Sequence, residues 1–274
     1  MHNLRPIGAI AVAVLLTAAG PAGAFDDAKY PNLKGAWDRT EQGAPRFDPS
    51  KPRGLAQQPP LTPEYMALYK QSLAGQEAAG QDDDTVFWCL PWGMPAMMNG
   101  YAQIELIVEP DITYMLIDDG NDSVRRIFTD GRNFPDDAEP SFVGYSIGRW
   151  VDTTGGGRYD LLEIETRNFK GPRVYDSTGL MLHPDSQSVI KERIYLDKSN
   201  SNLLHDQITV EDHALTHPWT VMKDYKRDPK ARPDWVEDVC AENSNHVMIG
   251  GETVRDFGVP AVQVPAEVIQ KDER

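Results

Sequence analysis

The chain has 274 residues, and its 27 Lys and Arg against 42 Asp and Glu give a formal charge of −15 and a pI near 4.8. With 40% hydrophobic and 25% charged residues, the composition is that of a globular protein, so it excludes wholesale disorder. The acidic charge argues against nucleic acid or an anionic membrane as a partner, because like charges repel at long range.

Residues 1–24 have the pattern of a secretory signal peptide. Arg5 provides the positive start, residues 7–19 are apolar, and residues 22–24 form a small-x-small cleavage site. The apolar run is shorter than the roughly 20 residues that a membrane-spanning helix needs. We therefore expect a cleaved signal, no membrane insertion and a periplasmic location.

Cys89 and Cys240 are the two cysteines of the chain. An oxidising compartment favours a disulfide between them over the alternative of a nucleophilic thiol. The bridge would close a loop of about 150 residues and stabilise the fold by on the order of 4–5 kcal/mol in the chain-entropy model.

The segment after the signal, residues 25–60, is rich in Pro, Gly and Gln and has one strand-like stretch at 33–39. Thr62-Pro63-Glu64 then predicts a helix start, with a Thr cap, Pro in the first helical position and an acid in the first turn. Side chains at helical spacing follow on one face, namely Tyr65, Leu68, Tyr69, Ser72 and Leu73, and Gly75 and Gly80 mark the end.

Eight short segments rich in β-branched and aromatic residues come next, separated by turn signals. They are residues 104–108, 112–117, 124–129, 142–150, 159–166, 189–196, 203–210 and 219–225. A long meander of this kind closes into a barrel to remove its edges. We therefore predict a mainly β fold, a single antiparallel β-barrel of the lipocalin or calycin type. The barrel domain, together with the preceding helix, spans residues 61–250 and includes a short helix at 234–243. A C-terminal tail follows at residues 251–274.

Strand alternation identifies a candidate buried pair. Glu192 shares one face of its strand with Ile190 and Ile194, and a buried carboxylate must be paired or hold a raised pKa. In the segment 124–129 either Arg125 or Arg126 faces inward, and Arg126 has the more apolar companions. We predict an inward Arg126–Glu192 pair, which either fixes the barrel register or takes part in substrate binding and acid/base chemistry.

Two further side chains are candidates for proton transfer. His183 lies in the loop before the Glu192 strand, where a histidine at a barrel mouth has the properties of a general acid or base. Asp130, in the turn Asp130-Gly131, is the alternative. The competing interpretation of His183 is an exposed loop side chain.

No metal or cofactor is predicted. His213 and His217 have a spacing that gathers metal ligands only on a helix, whereas Pro218 follows and the segment has the pattern of a strand end. A zinc site from these two with His205 and Asp206 is therefore disfavoured. The sequence contains no Gly-x-Ser-x-Gly elbow, phosphate-binding loop or dinucleotide fingerprint.

Aromatic and thioether side chains cluster in residues 88–101. They form either core and lid or the lining of a pocket for a flat apolar ligand. The predicted substrate-binding set is Trp92, Met97, Tyr101, Tyr145 and Trp150.

Several phrases resemble a family of exported, largely uncharacterised bacterial proteins. They are PPLTPEY at 59–65, CLPWGMP at 89–95, RRIFTDGR at 125–132, GYSIGRW at 144–150, ER at 192–193, PWT at 218–220 and CAEN at 240–243. Gly35-x-Trp37 also resembles the first strand of lipocalin-like barrels. The resemblance implies an exported β-barrel and carries no reaction with it. Residues 151–158 depart from the family pattern in being Gly-rich, and His183-Pro184 replaces a His-Ser pair.

Three functions are consistent with these features. The first is a cofactor-independent lyase, dehydratase or isomerase that acts on a small hydrophobic, aromatic or polycyclic molecule. In this function His183 or Asp130 would move the proton. Glu192 would be the carboxylate partner, and Arg126 would stabilise negative charge. The second is a periplasmic carrier of an apolar ligand without catalysis. The third is a structural or interaction protein of the cell envelope. The oligomeric state is left open.

Overall fold

A computed structural model describes residues 25–41, 43–79, 90–99, 103–117, 123–230, 246–249 and 252–255. Within these ranges the chain forms one α-helix, α1 (Pro63–Ala79), and eleven strands. The strands are β1 (Ala36–Arg39), β2 (Ile104–Val108), β3 (Ile112–Ile117), β4 (Ser123–Phe128), β5 (Tyr145–Val151), β6 (Leu161–Arg167), β7 (Val189–Leu196), β8 (Leu203–Glu211), β9 (Trp219–Arg227), β10 (His246–Ile249) and β11 (Glu252–Arg255).

Strands β1 to β9 form a closed barrel in sequence order, and β10 and β11 form a separate hairpin. The predicted fold class, a mainly β single barrel with one helix, is confirmed. The helix lies between β1 and β2, whereas the prediction placed it before the barrel. The barrel closes through β1, which pairs with β2 at Ala36↔Glu105 and with β9 at Trp37↔Arg227. Residues 25–60 therefore supply one barrel strand. The predicted signal peptide and the predicted helix at 234–243 lie outside the described residues.

The barrel is not antiparallel throughout, which corrects the prediction. β4 and β5 are parallel, with Ile127 opposite Ser146 and Phe128 opposite Ile147. A closed ring of nine strands cannot alternate direction at every step, so at least one neighbouring pair must be parallel. A parallel pair needs a crossover of about a dozen residues or more, and residues 129–144 provide it.

Gly144 ends this crossover in a left-handed conformation with φ of 73°. A Cβ atom at this position would lie 2.5 Å from Phe169 Cε1 and 2.8 Å from the carbonyl oxygen of Arg167. The close approach of β5 to the next segment therefore requires glycine.

Side chains fill the barrel interior. Trp37, Met115, Ile117 and Arg125 are each less than 2% exposed. We call the end where β7 and β9 begin the upper end, and there the barrel is covered by a layer of buried side chains, Phe47, Met94, Met97, Met98 and Tyr175. Barrels of about this size either are filled by side chains or hold one small ligand, and here buried side chains occupy the interior.

Helix α1 begins as predicted, since Thr62 Oγ1 accepts a hydrogen bond from the backbone N–H of Tyr65 at 3.4 Å. Tyr69 and Ser72 are buried, and the Tyr69 hydroxyl lies 2.7 Å from Thr178 Oγ1. Leu68 of the predicted face is exposed. Across the described ranges, no helix is both long and apolar enough to cross a membrane.

Candidate functional sites

The inward arginine of β4 is Arg125, which corrects the prediction of Arg126. Arg125 Nη1 donates to Glu192 Oε1 at 2.8 Å, and Nη2 donates to Glu192 Oε2. Arg125 also donates to Thr166 Oγ1 at 2.7 Å and to Ser146 Oγ at 3.0 Å. The predicted burial of Glu192 with an arginine partner is correct, and the predicted partner is one residue off.

The error in β4 has a physical cause. Val124 and Arg126 point outward, and Val124 is 47% exposed. Ile127 takes the inward position because it packs against Gly148, where an added Cβ would lie 2.6 Å from Ile127 Cγ2. The apolar residues beside Arg126 therefore did not indicate the buried face.

The Arg125–Glu192 pair is a buried ion pair in which every guanidinium nitrogen donates a hydrogen bond. Cavities of about 790, 360 and 210 Å³ lie at the molecular surface, and neither residue lines any of the three. The best-attested role of such a buried pair is to specify the register of the elements that carry it. The structural interpretation of this pair is therefore favoured over a direct part in chemistry.

Asp206 is a second inward carboxyl, on β8 directly opposite Lys223 of β9. It is completely buried, and neither of its carboxyl oxygens has a hydrogen-bond partner among the described residues. Burial, followed by the nearby charge of Glu192, raises the pKa of Asp206 well above its ordinary value, although Arg125 and Lys223 oppose the shift. The carboxyl is therefore held in its neutral form well above the pH at which an exposed Asp ionises.

The cavity of about 360 Å³ lies where β1 ends. β1 stops opposite Tyr225, whereas β9 begins six residues earlier at Trp219, so the loop at residues 40–50 covers the remaining edge of β9. Side chains from both segments and the upper layer form the walls. They include Arg39, Glu41, Arg46, Met98, Lys223 and Tyr225.

Lys223 is the chemically distinctive group of this cavity. It is 3% exposed, and its ammonium donates to the backbone carbonyl oxygens of Arg46, at 2.9 Å, and Phe47. Burial lowers the pKa of Lys223 to about 8, against the opposing effects of Glu41 and Asp176. The sequence analysis missed Lys223, although it shares the inward face of β9 with Val221 and Tyr225 and alternation could have identified it.

Charge on the cavity wall is mixed. Arg39 Nη1 lies 2.5 Å from Glu41 Oε1, and Arg46 Nε lies 4.0 Å from Glu41 Oε2. With Lys223, three cationic side chains therefore surround one glutamate. Cationic groups arranged in this way are suited to stabilising negative charge.

His183 lies at the upper rim, on a cavity of about 210 Å³ that Tyr65, Met181 and Arg173 also line. Its ring is 5.5 Å from that of Tyr65. Arg173 is buried, which lowers the pKa of its guanidinium to about 10. The predicted position of His183 at a barrel mouth is therefore correct, and its neighbours are residues that the sequence analysis did not select.

Asp130 lies at the opposite end from His183, because it follows the end of β4 whereas His183 precedes the parallel strand β7. Arg132 lies beside it, with Nη2 donating to Asp130 Oδ2 at 2.6 Å, and this hydrogen bond lowers the pKa of Asp130. Tyr145 joins this exposed group through its hydroxyl, 3.2 Å from Arg132 Nη1. His183, Asp130 and Glu192 therefore do not form one site.

The predicted substrate-binding side chains are also separated. Trp92 and Met97 are buried in the upper part of the fold, as expected of core or lid residues. Trp150 lies near the end of β5 on its inward face, opposite buried Leu162, and its ring is 5.4 Å from that of Tyr30. Tyr101, Cys89 and Cys240 lie outside the described residues.

The side chains whose zinc site the sequence disfavoured lie in different parts of the barrel. His205 lies near the lower end, 2.7 Å from Asp224 Oδ1, and Asp206 points into the barrel. His213 lies in the upper loop after β8, where its Nδ1 is 2.5 Å from Asp185 Oδ2.

No family model, curated protein or solved structure matches the chain. The family resemblance noted in the sequence therefore stays a prediction, and the site residues have to carry the functional argument.

The third cavity, of about 790 Å³, lies between residues 25–35 and β2, and we call it the outer cavity. Apolar and aromatic side chains line it together with charged ones. They include Phe25, Tyr30, Leu33, Leu106, Val108 and Arg158. A cavity of this volume is in the range of about 300–1,000 Å³ typical of small-molecule sites.

Proposed function

We propose that the protein is an exported, cofactor-independent enzyme of the lyase, dehydratase or isomerase type that transfers a proton on a small hydrophobic molecule in the cavity beside Lys223. The single observation that carries this proposal is a desolvated lysine on the wall of a 360 Å³ cavity at the barrel rim. A cavity of this size fits a molecule of one or two rings.

The chemistry follows from the state of the amine. A lysine with a pKa of about 8 populates both its neutral and charged forms near neutral pH, so it takes and returns protons efficiently. Arg39 and Arg46 would stabilise negative charge on the substrate after proton removal, and Met98 and Tyr225 would bind its apolar part. Lys223 then takes the role that the sequence suggested for His183 or Asp130.

The test is the variant Lys223→Met, which keeps the length of the side chain and removes the amine. The purified mature protein is incubated with a panel of small aromatic and terpenoid compounds, and products are followed by mass spectrometry. Turnover should fall by about 10²–10⁴-fold, the usual contribution of a general acid or base. Lys226→Met is the matched control, because Lys226 is an exposed lysine three residues along the same strand.

The wild-type rate should also rise with pH through about 8, as the neutral amine becomes populated. Turnover that survives in Lys223→Met, or that Lys226→Met abolishes equally, rules the assignment out. The pH profile keeps the test valid if the loss of the lysine hydrogen bonds weakens folding of the variant.

The large outer cavity favours a second candidate, a periplasmic carrier of an apolar ligand. Native mass spectrometry of the same incubations distinguishes the two functions. A carrier would retain a compound unchanged, and Lys223→Met would bind it as tightly as the wild type, because Lys223 does not line the outer cavity.

A further inference from the structure

The upper rim carries two histidines and one carboxylate that the proposed reaction does not use. His183 and Asp185 lie in the loop between β6 and β7, and His213 lies in the loop between β8 and β9. Asp185 Oδ2 is 2.5 Å from His213 Nδ1 and 3.1 Å from His183 Nδ1. One donor atom from each residue lies within 4.8 Å of the other two. We propose that these three side chains form a binding site for a divalent transition-metal ion such as Zn²⁺.

The two loops are held together independently of any ion. Asp212 accepts hydrogen bonds from the backbone N–H of His183 at 2.9 Å and from Ser188 Oγ at 2.5 Å. Buried Arg173 donates to the same Ser188 oxygen at 2.7 Å. Asp212 and His213 are adjacent in sequence, so this network fixes the position of His213 relative to His183. A support of this kind orients metal ligands before the ion arrives.

The donor set selects the kind of ion. Two imidazoles with one carboxylate suit Zn²⁺ and other first-row transition metals, whereas Ca²⁺ and Mg²⁺ prefer sites made of oxygen ligands. Zinc bonds of about 2.0–2.1 Å in a tetrahedron place ligand atoms roughly 3.3 Å apart. Asp185 Oδ2 lies 3.1 Å from His183 Nδ1, close to this spacing, and 2.5 Å from His213 Nδ1, which has to move outward by less than about 1 Å. His183 Nδ1 also accepts a hydrogen bond from the backbone N–H of Asp185 at 3.2 Å, which the metal ion would replace.

The site is open to solvent on one side. The side chains of His183, Asp185 and His213 are 33%, 27% and 68% exposed. Three protein ligands with an open position are the arrangement in which zinc also binds water or a small ligand. Because none of the three lines the Lys223 cavity, the inference does not depend on the proposed function.

The mature protein is freed of metal with a chelator and titrated with Zn²⁺ by calorimetry, with Ca²⁺ as the comparison ion. We expect one Zn²⁺ per chain, a rise in the melting temperature, and no comparable effect of Ca²⁺. Asp185→Asn and His213→Gln should each weaken Zn²⁺ binding by at least about 10-fold. His217→Gln is the matched control, since His217 is an exposed histidine in the same loop as His213.

Cobalt gives an independent readout. Co²⁺ bound by two histidines and a carboxylate should produce visible d–d absorption in the wild type and in His217→Gln but not in His213→Gln. The proposal is overturned by the absence of stoichiometric Zn²⁺ binding. Binding that His213→Gln leaves unchanged, or that His217→Gln reduces equally, also overturns it. These outcomes concern binding alone, so they are separate from the result of the Lys223 experiment.

Discussion

Inside the barrel, individual ionisable residues differ in how completely they are paired. Arg125 and Glu192 satisfy each other through two hydrogen bonds, whereas Asp206 has no hydrogen-bond partner among the described residues. Lys223 is bonded to backbone carbonyls and not to the acid opposite it. This difference in hydrogen bonding arises because the strands fix where each inward side chain starts, so a residue can bond only to the groups within its reach. As a result, the pKa of Asp206 is raised and the pKa of Lys223 is lowered, and perturbed pKa values of this kind are common in functional sites.

Asp206→Asn is expected to stabilise the protein by about 1–3 kcal/mol at pH 7, because it removes the cost of keeping the carboxyl protonated. In the unfolded chain the carboxyl ionises above about pH 4, whereas in the folded protein its raised pKa keeps the proton bound. Folding therefore costs free energy that increases as the pH rises above about 4, and the amide removes that cost. Urea unfolding at pH 7 and pH 3 checks this, and the gain should vanish at pH 3.

Asp137→Asn, at an exposed position, serves as the control and should change little at either pH. A lower stability of Asp206→Asn at pH 7 would mean that the ionised carboxylate contributes favourably to Lys223 or Arg125, contrary to the raised pKa.

At the scale of elements, the lengths and directions of the strands determine where the candidate sites lie. The four residues of β1 cannot cover the nine residues of β9, so a loop completes the wall and leaves the Lys223 cavity. The odd number of strands requires a parallel pair, here β4 and β5. Asp130 follows the end of β4, which lies at the opposite end of the barrel from His183. Loops β6–β7 and β8–β9 emerge at the same end and bring His183 and His213 together.

The lower end contains an element-scale link that depends on pH. His205 of β8 lies 2.7 Å from Asp224 of β9 and 3.3 Å from Asp197, which follows β7. Burial alone would lower the pKa of His205, but hydrogen bonds to Asp224 and Asp197 outweigh it and raise the pKa. The charged histidine therefore joins three consecutive elements.

A raised histidine pKa stabilises the folded state fully below the unfolded pKa of about 6.5, and this stabilisation is lost as the pH rises through the folded pKa. His205→Gln should therefore cost about 1 kcal/mol at pH 5.5 and less at pH 8.5. Chemical denaturation at both values measures it, with His217→Gln as an exposed control. An equal cost at the two pH values would contradict the link.

At the scale of the whole molecule, the barrel closes through contacts between distant parts of the chain. β1 lies between β2 and β9, so a strand near the beginning completes a ring whose last strand ends at Arg227. Closure over such sequence separations is slow in folding because the loop entropy is lost before the contacts form. A disulfide that links distant segments would reduce this entropy in the unfolded chain.

The predicted bridge between Cys89 and Cys240 lies outside the described residues and can be tested directly. Replacing both by serine should lower the free energy of unfolding by on the order of 4–5 kcal/mol in the chain-entropy model. Thiol titration of the denatured, non-reduced protein should find no free thiol. Two free thiols per chain would refute the bridge and weaken the case for an oxidising compartment.

The sequence by itself determined the local features of this protein. β-Branched and aromatic composition with turn signals located the eight strands of the meander, alternation located the buried face of Glu192, and the Thr62-Pro63-Glu64 cap located the start of α1. These succeed because hydrophobic periodicity and capping depend on residues within a few positions of one another. The predicted signal is of the same local kind, whereas the predicted disulfide joins distant segments, and both remain predictions.

Only the tertiary structure decided which arginine faces inward, since Arg125 and Arg126 fit the alternating pattern equally until Ile127 packs against Gly148. The Lys223 cavity and the pairing of His183 with His213 were likewise invisible, because each joins loops or strands far apart in the chain. Periodicity specifies which residues share a face. Long-range packing specifies which face is buried and which loops meet, and that is where the candidate sites arise.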